Sequence, residues 1–160
     1  MLRLRPYHAN DARTILSWVT NEKAFYQWTA GVLGTYPLTE QQFHAVTQHM
    51  AFTAIDDEET IGFLTMRRPA DSFDELRFGF VIVGASRRGQ GYGKRMLQLA
   101  LQYAKQIYGA KKVSLGVFEN NTPAFYCYKA VGFQEVLQRE PEVYPIWGET
   151  WNCLSMEILF

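Results

Sequence analysis

The sequence predicts a single domain with a mixed α/β fold. Short apolar runs with strand-like alternation recur along the chain, and between them lie segments whose apolar residues have helical spacing. A glycine-rich turn separates one of these strands from the clearest helix. The chain has 160 residues, of which 48% are hydrophobic and 20% are charged, as in an ordinary globular domain. We therefore expect residues 1–160 to fold as one unit.

The first half of the chain predicts a strand, two helices and a strand hairpin. Asn10 or Asp11 can cap the first helix, and Thr39 with Gln42 has the spacing of a capping box for the second. The acidic run from Asp56 to Glu59 is too polar for a strand interior and suits the tip of the hairpin. The predicted elements are a strand at 2–5, helices at 12–19 and about 40–50, and strands at 52–54 and 61–64. The aromatic stretch from Phe25 to Tyr36 has no clear period.

The second half predicts a fourth strand, a long helix, a fifth strand, a short helix and two closing strands. The long helix has apolar residues at helical spacing, and Gly109 follows its last turn. Thr122 can cap the short helix with Pro123 at its first position, and Gly132 ends it. The predicted bounds are Leu76–Val83, Gly93–Tyr108, Val113–Val117, Thr122–Val131, Phe133–Leu137 and Thr150–Leu159.

Composition and charge disfavour several classes of partner. Sixteen basic and sixteen acidic residues give zero formal net charge, whereas nucleic-acid binders carry a basic excess, so we expect no nucleic-acid partner. No apolar run has signal-peptide or membrane-spanning character, so we expect a cytoplasmic protein without a membrane partner. Cys127 and Cys153 are too few for a disulfide framework. They also lack metal-ligand spacing to each other or to the histidines, so we expect no metal.

The glycine-rich turn has the features of a phosphate-binding site. It reads Arg87-Arg88-Gly89-Gln90-Gly91-Tyr92-Gly93-Lys94 and lies between a predicted strand and a strong helix. Its backbone N–H groups therefore lie at the positive end of a helix dipole. Glycines allow close approach of an anion, and the basic side chains add positive charge. A pyrophosphate is the ligand that this pattern favours, and an ordinary strand-to-helix turn is the alternative.

Two other phosphate motifs do not fit this turn. A dinucleotide-binding G-x-G-x-x-G would require glycine at Lys94 or Met96. A P-loop would require glycine at Arg88 and Ser or Thr at Arg95. Both motifs are excluded by their spacing.

Two segments in register resemble the GNAT superfamily of N-acetyltransferases. Arg88-x-x-Gly91-x-Gly93 matches the Q/R-x-x-G-x-G/A signature of that family. About thirty residues on, Asn121-x-x-Ala124-x-x-x-Tyr128-x-x-x-Gly132-Phe133 is similar to its second motif. The resemblance implies a GNAT-type fold in which the fourth and fifth strands splay apart, and acetyl-CoA as the acetyl donor.

The resemblance also implies how residues of this chain bind acetyl-CoA. Val81, Ile82 and Val83 would supply backbone hydrogen bonds to the pantetheine arm and to the thioester oxygen. Asn121 would contact the same arm, although an Asn before a helix is also an ordinary turn residue. The pyrophosphate would be held mainly by main-chain N–H groups of Arg88, Gly89, Gln90, Gly91, Tyr92, Gly93 and Lys94.

Tyr128 matches the family tyrosine that protonates the departing CoA thiolate. A neutral phenol close to the sulfur can donate a proton as the C–S bond breaks. Ala124, four residues earlier, shares the helical face of Tyr128, whereas Tyr126 is turned about 200° away. Tyr126 is therefore expected to lie outside the site.

The sequence departs from the family at the general base. Some members carry a glutamate in the fifth strand, where this chain has Gly116. Glu75 shares the alternating face of Val81 but lies about six residues, or roughly 20 Å, upstream. It is a candidate base acting through water, and a solvated strand-start charge is the alternative. Glu22, Glu119 and Glu149 are further candidates, and catalysis without a protein base stays open.

The acceptor pocket is expected near the first helices and the closing strands. Aromatic side chains there could bind a cationic amine or could simply belong to the core. They are Trp18, Phe25, Tyr26, Trp28, Tyr144, Trp147 and Trp151. His44 and His49 are expected at the surface.

The leading hypothesis is an enzyme, monomeric or homodimeric, that transfers acetyl from acetyl-CoA to a primary amine by direct attack. A small molecule, a peptide or a protein N-terminus could be the acceptor. A CoA-binding sensor without turnover is an alternative from a different class, and a scaffold with an unused wedge would leave both motifs unexplained.

Overall fold

A computed structural model describes residues 1–47, 50–138 and 140–160. The strands are β1 (Leu2–Pro6), β2 (Ala51–Asp56), β3 (Glu59–Arg67), β4 (Glu75–Val83), β5 (Lys112–Phe118), β6 (Gln134–Val136), β7 (Glu142–Ile146) and β8 (Glu149–Leu159). The helices are α1 (Ala12–Ser17), α2 (Glu22–Thr29), α3 (Glu40–Val46), α4 (Tyr92–Gln106) and α5 (Thr122–Val131). Short 3₁₀ turns cover Ala9–Asp11 and Ala85–Arg87.

All eight strands form one mixed sheet in the order β1-β2-β3-β4-β5-β8-β6, with β7 also paired to β8. The β4–β5 pair is parallel and every other pair is antiparallel. Pairing of β4 with β5 covers only the positions from Glu75↔Lys112 to Arg77↔Ser114. Beyond these positions the two strands diverge. The mixed α/β fold with a β4/β5 wedge is thus confirmed.

Helices cover both faces of the sheet. One apolar cluster joins α4 and α5 to the sheet through Leu64 and Met66 of β3. A second cluster joins α1, α2 and α3 to the other face through Phe63. Since successive residues of a strand point to opposite faces, β3 contributes to both cores. The wedge between β4 and β5 therefore connects two helical layers.

The first half of the chain differs from its prediction at α2. Asn21 caps this helix, because its side-chain oxygen accepts a hydrogen bond from the backbone N–H of Ala24 at 2.8 Å. Phe25 and Thr29 are buried on one side, whereas Tyr26 and Trp28 pack in other directions. Aromatic residues on several faces of an eight-residue helix hide its period.

The predicted hairpin and the predicted second helix both occur in the structure close to their expected positions. Asp57 and Glu58 form the turn between β2 and β3, with φ of 48° and 69°. The helix predicted to about Met50 ends at Val46, and the prediction for His49 lies outside the described residues. His44 was expected at the surface, but its side chain is half-buried. The centre of its ring lies 5.9 Å from the centre of the Tyr7 ring.

The closing part of the chain contains one strand more than expected. The two predicted closing strands left residues 138–149 between them, a stretch that contains Pro141, Pro145 and Gly148, yet Glu142–Ile146 pairs with β8 as β7. Proline is tolerated in a strand with an unpaired edge. Within the described ranges, no helix has the length and apolar character needed to cross a membrane.

Candidate active site

A pocket of about 770 Å³ occupies the wedge and extends to both faces of the sheet. The strands contribute Gly79, Phe80, Val81, Ile82, Val83, Leu115, Gly116 and Val117. From the layer of α4 and α5 come Arg88, Gly89, Gly91, Gly93, Lys94, Asn121, Ala124, Cys127 and Tyr128. From the opposite layer come Val19, Ala24, Gln27 and Trp28. The pocket is therefore a passage between the two helical layers.

The backbone of the glycine-rich turn forms one end of this passage. Gly91 caps α4 with φ of 82°, and Gly89 has φ of 75°, in the left-handed region that glycine adopts without strain. The first helical hydrogen bond runs from the Arg95 N–H to the Gly91 carbonyl at 3.1 Å. The N–H groups of the first helical turn precede that bond and have no partner within the helix. This end of α4 is suited to an anion.

Several side chains of the turn form hydrogen bonds or ion pairs with other parts of the protein, including Arg87 and Arg88, which also border the pocket. Arg88 donates from Nε to the Val83 carbonyl at 3.2 Å and from Nη2 to the Trp18 carbonyl at 3.4 Å. Gln90 donates to the Ser86 carbonyl at 3.0 Å. Arg87 pairs with Glu59.

Tyr92 is likewise turned to a neighbouring strand. Its hydroxyl donates to the Asp56 carboxylate at 2.9 Å, and the Arg95 guanidinium lies 4.5 Å from its ring centre. Neither Gln90 nor Tyr92 is among the described residues that line the pocket. Gln90 and Tyr92 could therefore bind a ligand in the pocket only through their backbone groups.

Strand β4 contains a β-bulge where it borders the pocket. Opposite β3, Thr65 pairs with Gly79 and Phe63 pairs with Ile82, so Phe80 and Val81 share the single position opposite Leu64. Phe80 has φ of 50°. The three β4 residues predicted to bind the pantetheine arm all line the pocket.

Tyr128 lies in the pocket wall and is only 7% exposed. Burial, with a smaller contribution from Cys127, raises the pKa of its phenol above the ordinary value of 10.0. The phenol therefore stays protonated at neutral pH, as a proton donor must. Its ring packs against Phe133, with ring centres 6.1 Å apart.

Tyr126 was expected outside the site, and the structure corrects this. Its side chain is 63% exposed, yet it lines the outer part of the same pocket. A 200° rotation along α5 removes a side chain from the pocket floor, but a long tyrosine can still reach the rim. Tyr126 is therefore unsuitable as a control for Tyr128.

Glu75 lies at the closed end of the wedge, away from the pocket. Its carboxylate accepts a hydrogen bond from Ser114 at 2.7 Å and pairs with the Lys112 ammonium at 3.1 Å. Partial burial would raise its pKa, but the bonds from Ser114 and Lys112 outweigh burial and lower it. The carboxylate is thus held ionised between β4 and β5, and it is not among the described pocket residues.

The fifth-strand position expected to carry a base is filled by another side chain. A Cβ built on Gly116 would lie 3.1 Å from Nη2 of Arg77 and 3.0 Å from the Cys153 sulfur. In the described part of the chain, no Asp or Glu side chain lines the pocket. The described residues also contain no group of three or more His, Cys, Asp or Glu placed to hold a metal ion.

The aromatic residues suggested for the acceptor pocket lie in four different places. Trp28 lines the pocket, Trp18 packs against Gly84, and Phe25 is in the core. The remaining four form a cluster around Phe118 where β7 and β8 meet α2. They are Tyr26, Tyr144, Trp147 and Trp151.

Two polar pocket residues were missed in the sequence. Gln27 on α2 donates from Nε2 to the carbonyl and side-chain oxygens of Asn120, at 3.3 and 3.2 Å. This contact joins α2 to the loop before α5. Asn120 precedes the recognised Asn121, but no local pattern marks Gln27, because its partner lies 93 positions away.

A match to a family profile establishes which family the chain belongs to. The profile described as "Acetyltransferase (GNAT) family" matches residues 14–133, about three quarters of the chain. The chain belongs to the GNAT acetyltransferase family. This match confirms the resemblance inferred from the two motifs. Members of this family use acetyl-CoA.

Individual relatives of this GNAT chain match over parts of their length. The "Spermine/spermidine N(1)-acetyltransferase" of Bacillus subtilis (strain 168) is 40% identical over 47 residues, 29% of this chain and 31% of the relative. The "Mycothiol acetyltransferase" of Corynebacterium glutamicum (strain R) is 35% identical over 80 residues, 49% of this chain and 26% of the relative. The matched region thus spans about a third or less of these curated relatives.

Solved structures agree with the fold over almost the whole chain. The spermidine N-acetyltransferase of Vibrio cholerae, solved in complex with CoA and spermine, superposes with a TM-score of 0.80. The match covers 99% of this chain and 95% of that chain at 22% identity. At this level of identity the similarity establishes the GNAT fold.

Proposed function

We propose that this protein transfers the acetyl group of acetyl-CoA to a primary amine by direct attack. The observation that carries the proposal is the passage through the sheet. It joins the anion-binding start of α4 to a buried, protonated tyrosine and continues to the opposite face.

The residues at the α4 end fit the phosphates and the extended arm of acetyl-CoA. Free N–H groups and the Lys94 side chain suit a pyrophosphate. Gly93 allows α4 to pack closely on α5, because a Cβ there would meet the Cys127 sulfur at 3.3 Å. The part of β4 that is not paired with β5 includes Val81 and Val83. Its backbone groups on that side are available to an extended amide-containing arm.

In the proposed reaction the amine nitrogen attacks the thioester carbon and the C–S bond breaks. Tyr128 donates its phenolic proton to the departing sulfur. Backbone N–H groups near the β4 bulge stabilise the negative charge that develops on the thioester oxygen. The attacking amine gives up a proton to water, and a proton from water returns to the Tyr128 phenolate. Acetylated amine and CoA then leave, and the enzyme regains its starting protonation state.

The acceptor is proposed to reach the reaction centre as the free amine. Without a carboxylate in the described pocket lining, no side chain of the Glu type can take its proton there. Arg88 and Lys94 also make the electrostatic potential of the pocket positive, which disfavours an ammonium ion. The small fraction of a primary amine that is unprotonated at neutral pH is then the reacting species.

A second positive charge on the acceptor would be accommodated outside the passage. Trp147 and Trp151 lie with ring centres 5.9 Å apart where β7 and β8 meet α2. Their indole N–H groups donate to Glu22 at 3.0 Å and to Glu149 at 3.1 Å. Aromatic faces beside carboxylates favour a cation. Together with the polyamine-specific names of similar proteins, this supports a di- or polyamine as the acceptor.

CoA release with a panel of amines tests the proposal. Spermidine, a monoamine and a peptide with a free N-terminus are compared, and we expect the highest kcat/KM with spermidine. Tyr128→Phe should lower kcat about 100-fold, the scale of general-acid catalysis. Tyr103→Phe is the control, because this tyrosine packs on Phe52 away from the pocket.

The alternative, an acetyl-CoA-binding sensor, is favoured by one observation. Gly116 and the packed Arg77 leave the fifth-strand base position without a carboxylate. Binding of acetyl-CoA without turnover of any amine would support the sensor. Failure to bind acetyl-CoA would refute both functions.

A further inference from the structure

The bulge in β4 requires a backbone conformation that its residue does not favour. Phe80 has φ of 50°, in the left-handed region that bulky side chains avoid, and such a conformation persists only where neighbouring contacts hold it. A glycine would adopt it without strain. Some contact must therefore hold Phe80.

The contact is a hydrogen bond from α2. The indole Nε1 of Trp28 donates to the backbone carbonyl of Phe80 at 2.8 Å, in a partly buried position. The bond links two residues 52 positions apart and joins the helical layer of α2 to the bulge. The Trp28 ring is itself fixed, with its centre 5.7 Å from that of Phe43 and 6.4 Å from that of Phe25.

The carbonyl of Phe80 belongs to the same peptide unit as the N–H of Val81. Because a peptide unit is planar, a donor that fixes the carbonyl also fixes the direction of that N–H. Val81 lines the passage and is one of the two residues that share the bulge. The orientation of the Val81 N–H is therefore set from outside the sheet, by an α2 side chain.

We propose that Trp28 is a positioning residue for acetyl transfer: its indole N–H holds the Phe80–Val81 peptide in the bulged conformation that the reaction requires. This inference rests on the proposed acetyl transfer. It assigns α2, a helix on the acceptor side, a part in arranging the backbone that faces the acetyl group. A misplaced N–H would weaken charge stabilisation on the thioester oxygen while leaving the phosphate-binding turn intact.

The first test compares Trp28→Phe with Tyr103→Phe. Both variants remove one polar group and keep an aromatic ring, but Tyr103 packs on Phe52 and is not among the described residues that line the pocket. We expect Trp28→Phe to lower kcat about tenfold, with the Kd for acetyl-CoA changed less than about threefold. Tyr103→Phe should leave kcat within about twofold of the parent.

Amide hydrogen exchange gives a readout that does not depend on turnover. Trp28→Phe should speed exchange at residues 79–82, whereas Tyr103→Phe should leave exchange there unchanged. If the parent protein acetylates no amine, the proposed function fails, and this exchange comparison still tests whether Trp28 holds the bulge. Unchanged exchange in Trp28→Phe would overturn the inference even in an active enzyme.

A double-mutant cycle with Phe80→Gly separates positioning from general support of the fold. Glycine keeps φ near 50° without strain, so the bulge should depend less on the indole bond. We expect the loss of kcat on Trp28→Phe to shrink from about tenfold to less than threefold in the Phe80→Gly background. Equal losses in both backgrounds would overturn the inference, as would unfolding of Trp28→Phe while Tyr103→Phe stays folded.

Discussion

Glu75 is held at the closed end of the wedge by partners from β5. Ser114 and Lys112 both contact its carboxylate, and Lys112 also lies 3.7 Å from Glu157 of β8. These contacts join three adjacent strands at the point beyond which β4 and β5 separate. The geometry gives this carboxylate a structural position at the edge where the wedge begins.

Glu75→Gln should therefore reduce stability and not catalysis. Replacing the carboxylate weakens a part-buried ion pair and a charge-assisted hydrogen bond, so we expect the free energy of unfolding to fall by about 1–2 kcal/mol. Urea unfolding measures this change, and kcat should stay within about twofold of the parent. A hundredfold loss of kcat in a folded variant that binds acetyl-CoA would instead restore Glu75 as a base.

Single residues were predictable where a motif specified them. Tyr128 and the β4 residues were located by short patterns whose spacing the fold preserves. Trp28 was among the aromatic candidates for the pocket, but its partner Phe80 could not be predicted because it lies 52 positions away. Gln27 was missed because its partner lies 93 positions away. Tyr126 was assigned by helical rotation alone, which gives the direction of a side chain but not how far it reaches.

At the scale of elements, the turn before α4 combines two requirements. Gly91 must adopt φ of 82° to begin the helix, and the N–H groups that follow must face the pocket end. Gly109, beyond the other end of α4, has φ of 69°, and a Cβ built at either glycine would meet no atom within 4 Å. The two glycines therefore share a backbone conformation, but only Gly91 is among the described residues that line the pocket.

Gly91→Ala and Gly109→Ala should separate strain from ligand binding. A Cβ at either left-handed position costs about 1–2 kcal/mol, so both variants should be destabilised in urea. Only Gly91→Ala should also weaken acetyl-CoA binding, by about tenfold in Kd measured by calorimetry, because it displaces the anion-binding N–H groups. An equal loss of affinity in Gly109→Ala would contradict this assignment of the turn.

Elements were predictable when their pattern was long. The helix α4 has four buried residues at helical spacing, and the hairpin at Asp57 and Glu58 has a clear polar tip. The strand β7 was missed because turn residues surround it, and its pairing with β8 is a tertiary contact. Helix α2 was missed because its aromatic side chains pack on different sides of the helix and so hide its helical period.

At the scale of the molecule, Asp11 links the turn before α1 to strands β1 and β2 of the sheet. The Arg5 guanidinium of β1 donates to both of its oxygens at 2.8 Å, and Thr53 of β2 donates at 2.8 Å. The His8 backbone N–H donates at 2.9 Å. Burial would raise the pKa of Asp11, but these bonds outweigh burial and hold the pKa below the ordinary value of 3.8.

This network should make the fold sensitive to acid. Since the folded pKa is lowered, the stabilisation by Asp11 is complete above about pH 4 and is lost as the pH falls through the folded pKa. Asp11→Asn should lower the free energy of unfolding at pH 7 by roughly 3 kcal/mol and flatten its decline in acid. Urea unfolding between pH 3 and pH 7 measures both effects.

Glu58→Gln is the matched control for Asp11→Asn. Glu58 pairs with Arg3 at the surface, at 3.3 Å, and both side chains are well exposed. We expect a change below about 0.5 kcal/mol at pH 7. If Asp11→Asn behaves like Glu58→Gln, the buried network does not contribute in the way its geometry indicates.

The passage between the diverging strands is bordered by residues beside α4 on one face of the sheet and by residues of α2 on the other. Under the proposed reaction, the donor would occupy the α4 side and the acceptor would approach from the α2 side. Neither would obstruct the other, so the order of arrival need not be fixed, and both would be present together when the acetyl group moves. A long acceptor could also extend into solvent while only its terminal nitrogen enters, so the opening would limit width and not length.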